Sequence, residues 1–152
     1  MIQRIQSIWL FLAALSMSCL LFIPMVTSTI AGVEYYVIAS GLYQKLGEEN
    51  ITVEANLPLL LFVGVAPVVC FINIFNYKKR QLQRRLIFIS IIYIIFISFW
   101  CSQQAKKIPG GLEDANYNFG MFLPVMAIAF CALAARGINN DEKLLKSADR
   151  LR

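Results

Sequence analysis

The sequence contains no histidine and few charged residues. Of its 152 residues, 15% are charged and 59% are apolar, whereas a soluble domain has about 25% charged and roughly 45–50% apolar residues. Without histidine, most zinc sites, histidine-ligated haem and serine–histidine catalysis are excluded. This composition favours a membrane protein, and the remaining residues show no catalytic constellation, so we predict a non-enzymatic protein without cofactor or metal.

Four long runs lack Asp, Glu, Lys and Arg altogether: Ile8–Val26, Leu57–Phe75, Leu86–Cys101 and Phe119–Ala135. A bilayer core about 30 Å thick needs roughly 17–25 helical residues, which each run reaches once a flanking turn is added. A buried helix of a soluble bundle would instead carry a polar stripe. The runs therefore predict four membrane spans, and their lack of charge argues against a proton-coupled carrier.

These spans leave no segment large enough for a second core, so we predict one domain over residues 1–152. The expected spans are about 7–28, 57–77, 84–102 and 119–136; the outer loops are 31–55 and 103–118, the inner loop is 78–85 and the inner tail is 137–152.

The distribution of charge predicts the orientation. The two termini and the loop between the second and third spans carry 11 of the 14 basic residues, and the other two loops carry 3. Lys and Arg accumulate in cytoplasmic loops. Both termini are therefore expected in the cytoplasm.

We predict an all-α, up-down-up-down bundle of four transmembrane helices with a small outer β-hairpin cap. The hairpin is expected from Tyr35–Ile38 and Ile51–Val53, which are β-branched or aromatic and flank a turn at Leu46–Asn50; an irregular loop is the alternative. After Gly137, a natural helix stop, a short cytoplasmic amphipathic helix is expected to begin at Asn139.

The cysteines Cys19, Cys70, Cys101 and Cys131 fall one in each span. No C-x-x-C pair is present, and their expected depths in the membrane differ. A free cysteine usually behaves as a small buried apolar residue, so we predict four structural cysteines rather than a metal site.

Basic residues of the inner loop and one face of the tail are the predicted contact sites. The loop lacks the interleaved aromatics of a nucleic-acid site, and anionic lipid headgroups explain its charge. In the tail, leucines at helical spacing form a small apolar face suited to a partner. The candidate contacts are Lys78, Lys79, Arg80, Arg84, Arg85, Leu144, Leu145, Asp149, Arg150 and Leu151.

Three segments carry a family resemblance: Met1–Ser7, Arg80–Leu86 and Asp141–Arg152. With the span pattern, they resemble a bacterial family of small four-span membrane proteins catalogued as domain of unknown function 4293. The resemblance implies that the protein lies in a bacterial inner membrane. It implies no activity, cofactor or catalytic residue.

We therefore expect an accessory or interaction subunit of a larger inner-membrane assembly. The alternative is a small-molecule transporter or channel that acts as an oligomer. Capture of a large partner would favour the subunit, and homo-oligomers alone would favour the transporter.

Overall fold

The computed structural model describes residues 3–46, 49–76, 80–111 and 115–149. The helices are α1 (Gln3–Cys19), α2 (Leu57–Phe75), α3 (Arg80–Ala105) and α4 (Leu123–Asp149), and a short 3-10 helix (Phe119–Phe122) precedes α4. The strands are β1 (Val26–Ile30), β2 (Val33–Ile38), β3 (Gly41–Leu46), β4 (Glu49–Ala55) and β5 (Asn116–Tyr117).

The four helices form one bundle in which α1 and α3 each pack against both α2 and α4. Small and branched apolar side chains such as Ala13, Val63, Ile94 and Ala127 are fully buried at its centre. The outer surface is also apolar, with Leu61 and Ile92 each 69% exposed.

Among the described residues, three helical segments are long and apolar enough to cross a membrane: Leu57–Phe75, Gln81–Ala105 and Phe119–Asp141. The fourth apolar helix, Ile5–Cys19, is shorter. Beyond Cys19, helix-like hydrogen bonds continue to Ile23, whose N–H donates to the carbonyl of Cys19 at 3.0 Å. Pro24 then ends this series of helix-like hydrogen bonds, because proline has no N–H to donate.

Asn56 precedes the first turn of helix α2, and Pro67 lies in its interior. The side chain of Asn56 caps its first turn by accepting a hydrogen bond from the N–H of Leu59 at 3.2 Å. Pro67 lies within the helix and interrupts its backbone hydrogen bonds. One turn earlier, the carbonyl of Phe62 accepts a hydrogen bond from the Tyr93 hydroxyl of α3 at 2.8 Å. The neighbouring helix α3 thus supplies a donor to the residue before Val63, whose carbonyl loses its own intrahelical donor to Pro67.

The five strands form one antiparallel sheet in the order β4-β3-β2-β1-β5. Strands β1 and β2 are joined by Ala31 and Gly32, both with positive φ. Such a pair is typical of the two-residue turn whose twist matches that of a hairpin.

The two faces of the sheet have different environments. Val26, Val37 and Leu42 are paired across three strands and are buried in the same apolar core as the helices. Successive side chains of a strand point to opposite faces. The face that carries Thr27, Tyr36 and Tyr43 therefore points away from the bundle.

The predicted all-α fold class with only a small β-hairpin cap is wrong, because the chain combines four helices with a five-stranded sheet. Two strands account for most of the difference. The segment that forms β1 was assigned to the end of the first span, but Pro24 ends the helical turns and the β-branched Val-Thr-Ser-Thr-Ile sequence favours a strand. The segment that forms β3 was assigned to a loop, since its own alternation is weak.

The separate C-terminal amphipathic helix is also a wrong prediction. Helix α4 passes through Gly137 without a break and continues to Asp149. A glycine in a helix interior costs only about 1 kcal/mol relative to alanine, and here it allows close packing. A Cβ atom at Gly137 would lie 3.0 Å from Cγ of Gln6 in α1.

Candidate functional site

Buried polar side chains gather at the end of the bundle that lies opposite the sheet. Gln6, Asn73, Gln83 and Asp141 come from α1, α2, α3 and α4 respectively, and each is less than 9% exposed. Buried polar groups are costly unless they are hydrogen-bonded. We call these four residues, together with Arg84 and Asn139, the polar layer.

Asn73 and Gln83 tie the end of α2 to the start of α3. The Asn73 side-chain amide donates to the Gln83 carbonyl at 3.3 Å, and the Gln83 amide donates to the Asn73 carbonyl at 3.3 Å. The Asn73 carbonyl lies in the last turn of α2, where it also accepts a hydrogen bond from the backbone N–H of Asn76. The Gln83 amide therefore adds a second donor from α3 to the C-terminal end of α2. The side-chain oxygen Oδ1 of Asn73 is buried without a hydrogen-bond partner among the described residues.

Asp141 is a nearly buried carboxylate on α4. The Gln6 side-chain amide donates a hydrogen bond to its Oδ2 atom. Its other oxygen, Oδ1, is buried and has no hydrogen-bond partner in the part of the chain that the structure describes. One carboxylate oxygen thus remains available as an acceptor inside the protein.

Sequence reasoning missed Asp141 as an interior residue, because it assigned the chain after Gly137 to an exposed tail. A continuous helix would have indicated its position. Ala134, Ile138 and Asp141 are spaced by four and three residues on α4, which places them on one helix face, and all three are buried.

The predicted basic contacts are described only in part. Arg84 is partly buried and donates from Nη1 to Oδ1 of Asn139 at 3.1 Å, which links α3 to α4. Arg85 is exposed at the start of α3. Arg80 begins that helix, but its side chain is not among those described. Lys78 and Lys79 lie outside the described residues.

The predicted contacts of the tail are placed by their backbone. Leu144, Leu145 and Asp149 belong to α4, although their side chains are not among those described; Arg150 and Leu151 lie outside the described residues. Asp141 contacts α1 in its first turns, and α4 continues for eight residues beyond Asp141. These residues add about 12 Å of helix at 1.5 Å per residue, whereas α1 begins only three residues before Gln6.

Two of the four cysteines meet at the centre of the bundle. Cys70 of α2 and Cys131 of α4 interact through their thiols, and Ser90 of α3 also contacts Cys70. All three residues are buried. Over residues 3–46, 49–76, 80–111 and 115–149, no group of three or more His, Cys, Asp or Glu side chains is placed to hold a metal ion.

An apolar groove of about 330 Å³ lies between α1 and α2, next to Pro67. Its lining includes Phe11, Leu15 and Phe71, and its one hydroxyl, from Ser18, donates to the carbonyl of Ala14 at 3.0 Å. The donor of that hydroxyl is therefore already used, and the groove is as apolar as the outer surface of the bundle.

These features define an α+β protein with three helices able to cross a membrane, a sheet at one end of the bundle and a polar layer at the other. The chain belongs to the family described as Domain of unknown function (DUF4293), whose profile matches residues 2–151. The predicted family is therefore confirmed over nearly the whole chain. No curated protein matches the sequence.

Proposed function

We propose that this protein is a four-span protein of the bacterial inner membrane that acts as a non-enzymatic accessory subunit of a larger assembly. In this arrangement α1 is the fourth span. Its 17 helical residues measure about 26 Å at 1.5 Å per residue, and the turns that follow, to Ile23, supply the remaining length of an approximately 30 Å core.

The charge distribution supports an orientation with the sheet outside and the polar layer at the cytoplasmic surface. Arg84 and Arg85 lie near the start of α3, and Arg136 lies five residues before Asp141 on α4, so all three are towards the same end of the bundle as Asp141. Basic residues concentrate on the cytoplasmic side of membrane proteins, where anionic headgroups attract them.

The continuation of α4 beyond Asp141 is the observation that carries the subunit proposal. The helix extends past the start of α1, and Leu144 and Leu145 lie in this extension. In the sequence, Leu151 follows Leu144 at a helical spacing of seven residues. An apolar helix face beyond the bundle suits a groove on a partner protein. Contacts with a bound partner would also stabilise this part of α4 as a helix, because so short a segment is only marginally stable as a helix without packing.

A Leu144→Glu, Leu151→Glu double variant tests this proposal. Insertion depends on the apolar runs, so the variant should reach the membrane at the wild-type level. It should, however, lose the partner that co-purifies with the wild-type protein after mild detergent extraction. A Lys143→Glu, Lys146→Glu variant is the control, because it adds acidic residues to the same segment while keeping the leucines. Retention of every partner by the leucine variant would contradict the proposal.

A transporter or channel acting as an oligomer is the second candidate, and the carboxylate of Asp141 favours it. Ionisable residues buried in a helix bundle are typical of ion and substrate pathways, and this one, at the cytoplasmic end of the proposed spans, has an oxygen without a partner among the described residues. Only homo-oligomers after extraction, together with solute flux that depends on Asp141, would favour this candidate over the subunit.

A further inference from the structure

A row of aromatic, hydroxyl and amide side chains crosses all five strands on the sheet face that points away from the bundle. Thr27 lies opposite both Asn116 and Tyr36, Tyr36 lies opposite Tyr43, and Tyr43 lies opposite Thr52. We call these five residues the tyrosine row. Neighbouring strands lie about 4.8 Å apart, so the row is roughly 19 Å long.

The two tyrosines form the centre of this row. Their rings stack with centroids 5.4 Å apart and an interplanar angle of 12°, and both side chains remain partly exposed. The Tyr43 hydroxyl is 2.8 Å from the hydroxyl of Ser40, which holds the ring in place. The row therefore presents a fixed aromatic pair rather than two independent side chains.

Hydrogen-bonding groups continue the row on both sides. Thr52 and Asn116 are exposed, and the Asn118 amide donates to the Thr27 hydroxyl at 3.4 Å. A hydroxyl donates one hydrogen bond and accepts two, and a side-chain amide does both as well. A ligand that offers many hydroxyls could satisfy these groups along the whole row.

The charge of this face is balanced. The tyrosine row contains no ionisable carboxylate or amine, and the adjacent row pairs Glu34 with Lys45 directly across two strands. Nucleic acid is disfavoured, because its phosphates require a net positive surface. The row also lacks the exposed aliphatic side chains that would anchor an apolar partner surface.

We propose that the tyrosine row binds a neutral oligosaccharide. Each stacked tyrosine covers one face of the other, so the C–H face of a sugar ring packs on an outer face of the pair, and its hydroxyls bond to the threonines and asparagines on either side. An uncharged, polyhydroxylated chain matches both the charge balance and the linear arrangement of the row. This site lies at the opposite end of the molecule from the α4 segment, so its test is independent of the subunit proposal.

The experiment is isothermal titration of the full-length protein in detergent micelles with chitohexaose and cellohexaose, two neutral linear oligosaccharides. We expect binding of at least one of them, and about tenfold weaker binding by the Tyr36→Ala and Tyr43→Ala variants, which each remove about 1.4 kcal/mol of stacking. Tyr117→Ala is the matched control. Tyr117 is 55% exposed but lies opposite Val26, on the other face of the sheet, so its loss should leave the affinity unchanged.

Thermal unfolding of each variant distinguishes a lost site from a lost fold, and Tyr36→Phe, which keeps the ring, should retain most of the affinity. No binding of either probe by the wild-type protein at millimolar concentration would overturn the proposal. Equal loss of affinity in the Tyr117 variant would overturn it as well. Capture of a protein that requires Tyr36, without oligosaccharide binding, would assign the face to a protein partner instead.

Discussion

Replacing Gln6 with alanine should destabilise the protein by removing the hydrogen bond that Asp141 accepts. Asp141 is 8% exposed, and its Oδ1 atom already lacks a partner among the described residues. After the substitution, neither oxygen would accept a described hydrogen bond. A hydrogen bond to a charged group contributes about 1.5–3 kcal/mol, so we expect the free energy of unfolding to fall by about 2 kcal/mol.

The measurement is equilibrium unfolding in mixed detergent micelles, followed by tryptophan fluorescence. Gln103→Ala is the control, because Gln103 is exposed on α3 and its loss should change the free energy by less than about 0.5 kcal/mol. A Gln6→Leu, Asp141→Leu double variant should lie within about 1 kcal/mol of the wild type. It removes both polar partners together and leaves no unpaired buried charge.

The order of the variants in free energy of unfolding tests this reasoning. If Gln6→Ala is as stable as Gln103→Ala, Asp141 does not depend on its contact with α1. If the double leucine variant is less stable than Gln6→Ala, the pair is itself strongly stabilising, and the reasoning from an unpaired buried carboxylate fails.

Three further predictions concern other parts of the molecule. Tyr93→Phe removes the hydrogen bond to the carbonyl of Phe62 and should lower the free energy of unfolding by about 1 kcal/mol; no change in the same micelle titration would show that this carbonyl needs no outside donor. In a cysteine-free background, cysteine at position Glu49 should react with an impermeant maleimide on intact cells and cysteine at Arg85 should not, and the reverse pattern would invert the proposed orientation. The pKa of Tyr36 is raised, mainly by burial and then by the nearby Tyr43 and Glu34. The neutral form of Tyr36 therefore contributes stability below the usual tyrosine pKa of about 10. This stability is lost as the pH rises through the folded pKa. The difference between the ultraviolet titrations of wild type and Tyr36→Phe should therefore correspond to a tyrosine that ionises late, and equal curves per tyrosine would contradict this.

The helices were predictable because a membrane-crossing segment is recognised from length and lack of charge alone. Leu57–Phe75 coincides in both bounds with an apolar run of the sequence, and it is one of the three described segments that are long and apolar enough to cross a membrane. The first apolar run did not indicate where its helix ends. Its apolar character continues to Val26, whereas Pro24 and the β-branched residues after it divert the chain into β1.

The sheet was harder to predict because strand pairing is a property of segments that are distant in the chain. Val26 pairs with Val37 and also with Tyr117, which lies 91 residues further along. Such pairing leaves little trace in a local window, and β3 has only weak alternation of its own. Tyr35–Ile38 and Ile51–Val53 were recognised as strand segments, but they do not pair with each other, since β3 lies between β2 and β4.

The polar layer was missed for a related reason. Gln6 and Asp141 stand at opposite ends of the chain, and each looks like a solvated end residue when read locally. Their burial follows from the antiparallel packing of α1 against α4 and from the continuation of α4 through Gly137. The residues predicted from charge, Arg84 and Arg85, do lie at this end of the bundle, but charge alone could not indicate which of them would turn inward.

The central proposal is that this protein serves as a subunit of a larger membrane assembly, and the mass of the native complex tests it most directly. Membranes are extracted with a mild detergent, the protein is purified at its native level of expression, and the complexes are measured by native mass spectrometry. We predict a complex that contains this chain and a second, larger polypeptide in a fixed ratio, and its disappearance in the Leu144→Glu, Leu151→Glu variant. Recovery of the chain only as a monomer or as homo-oligomers would contradict the proposal.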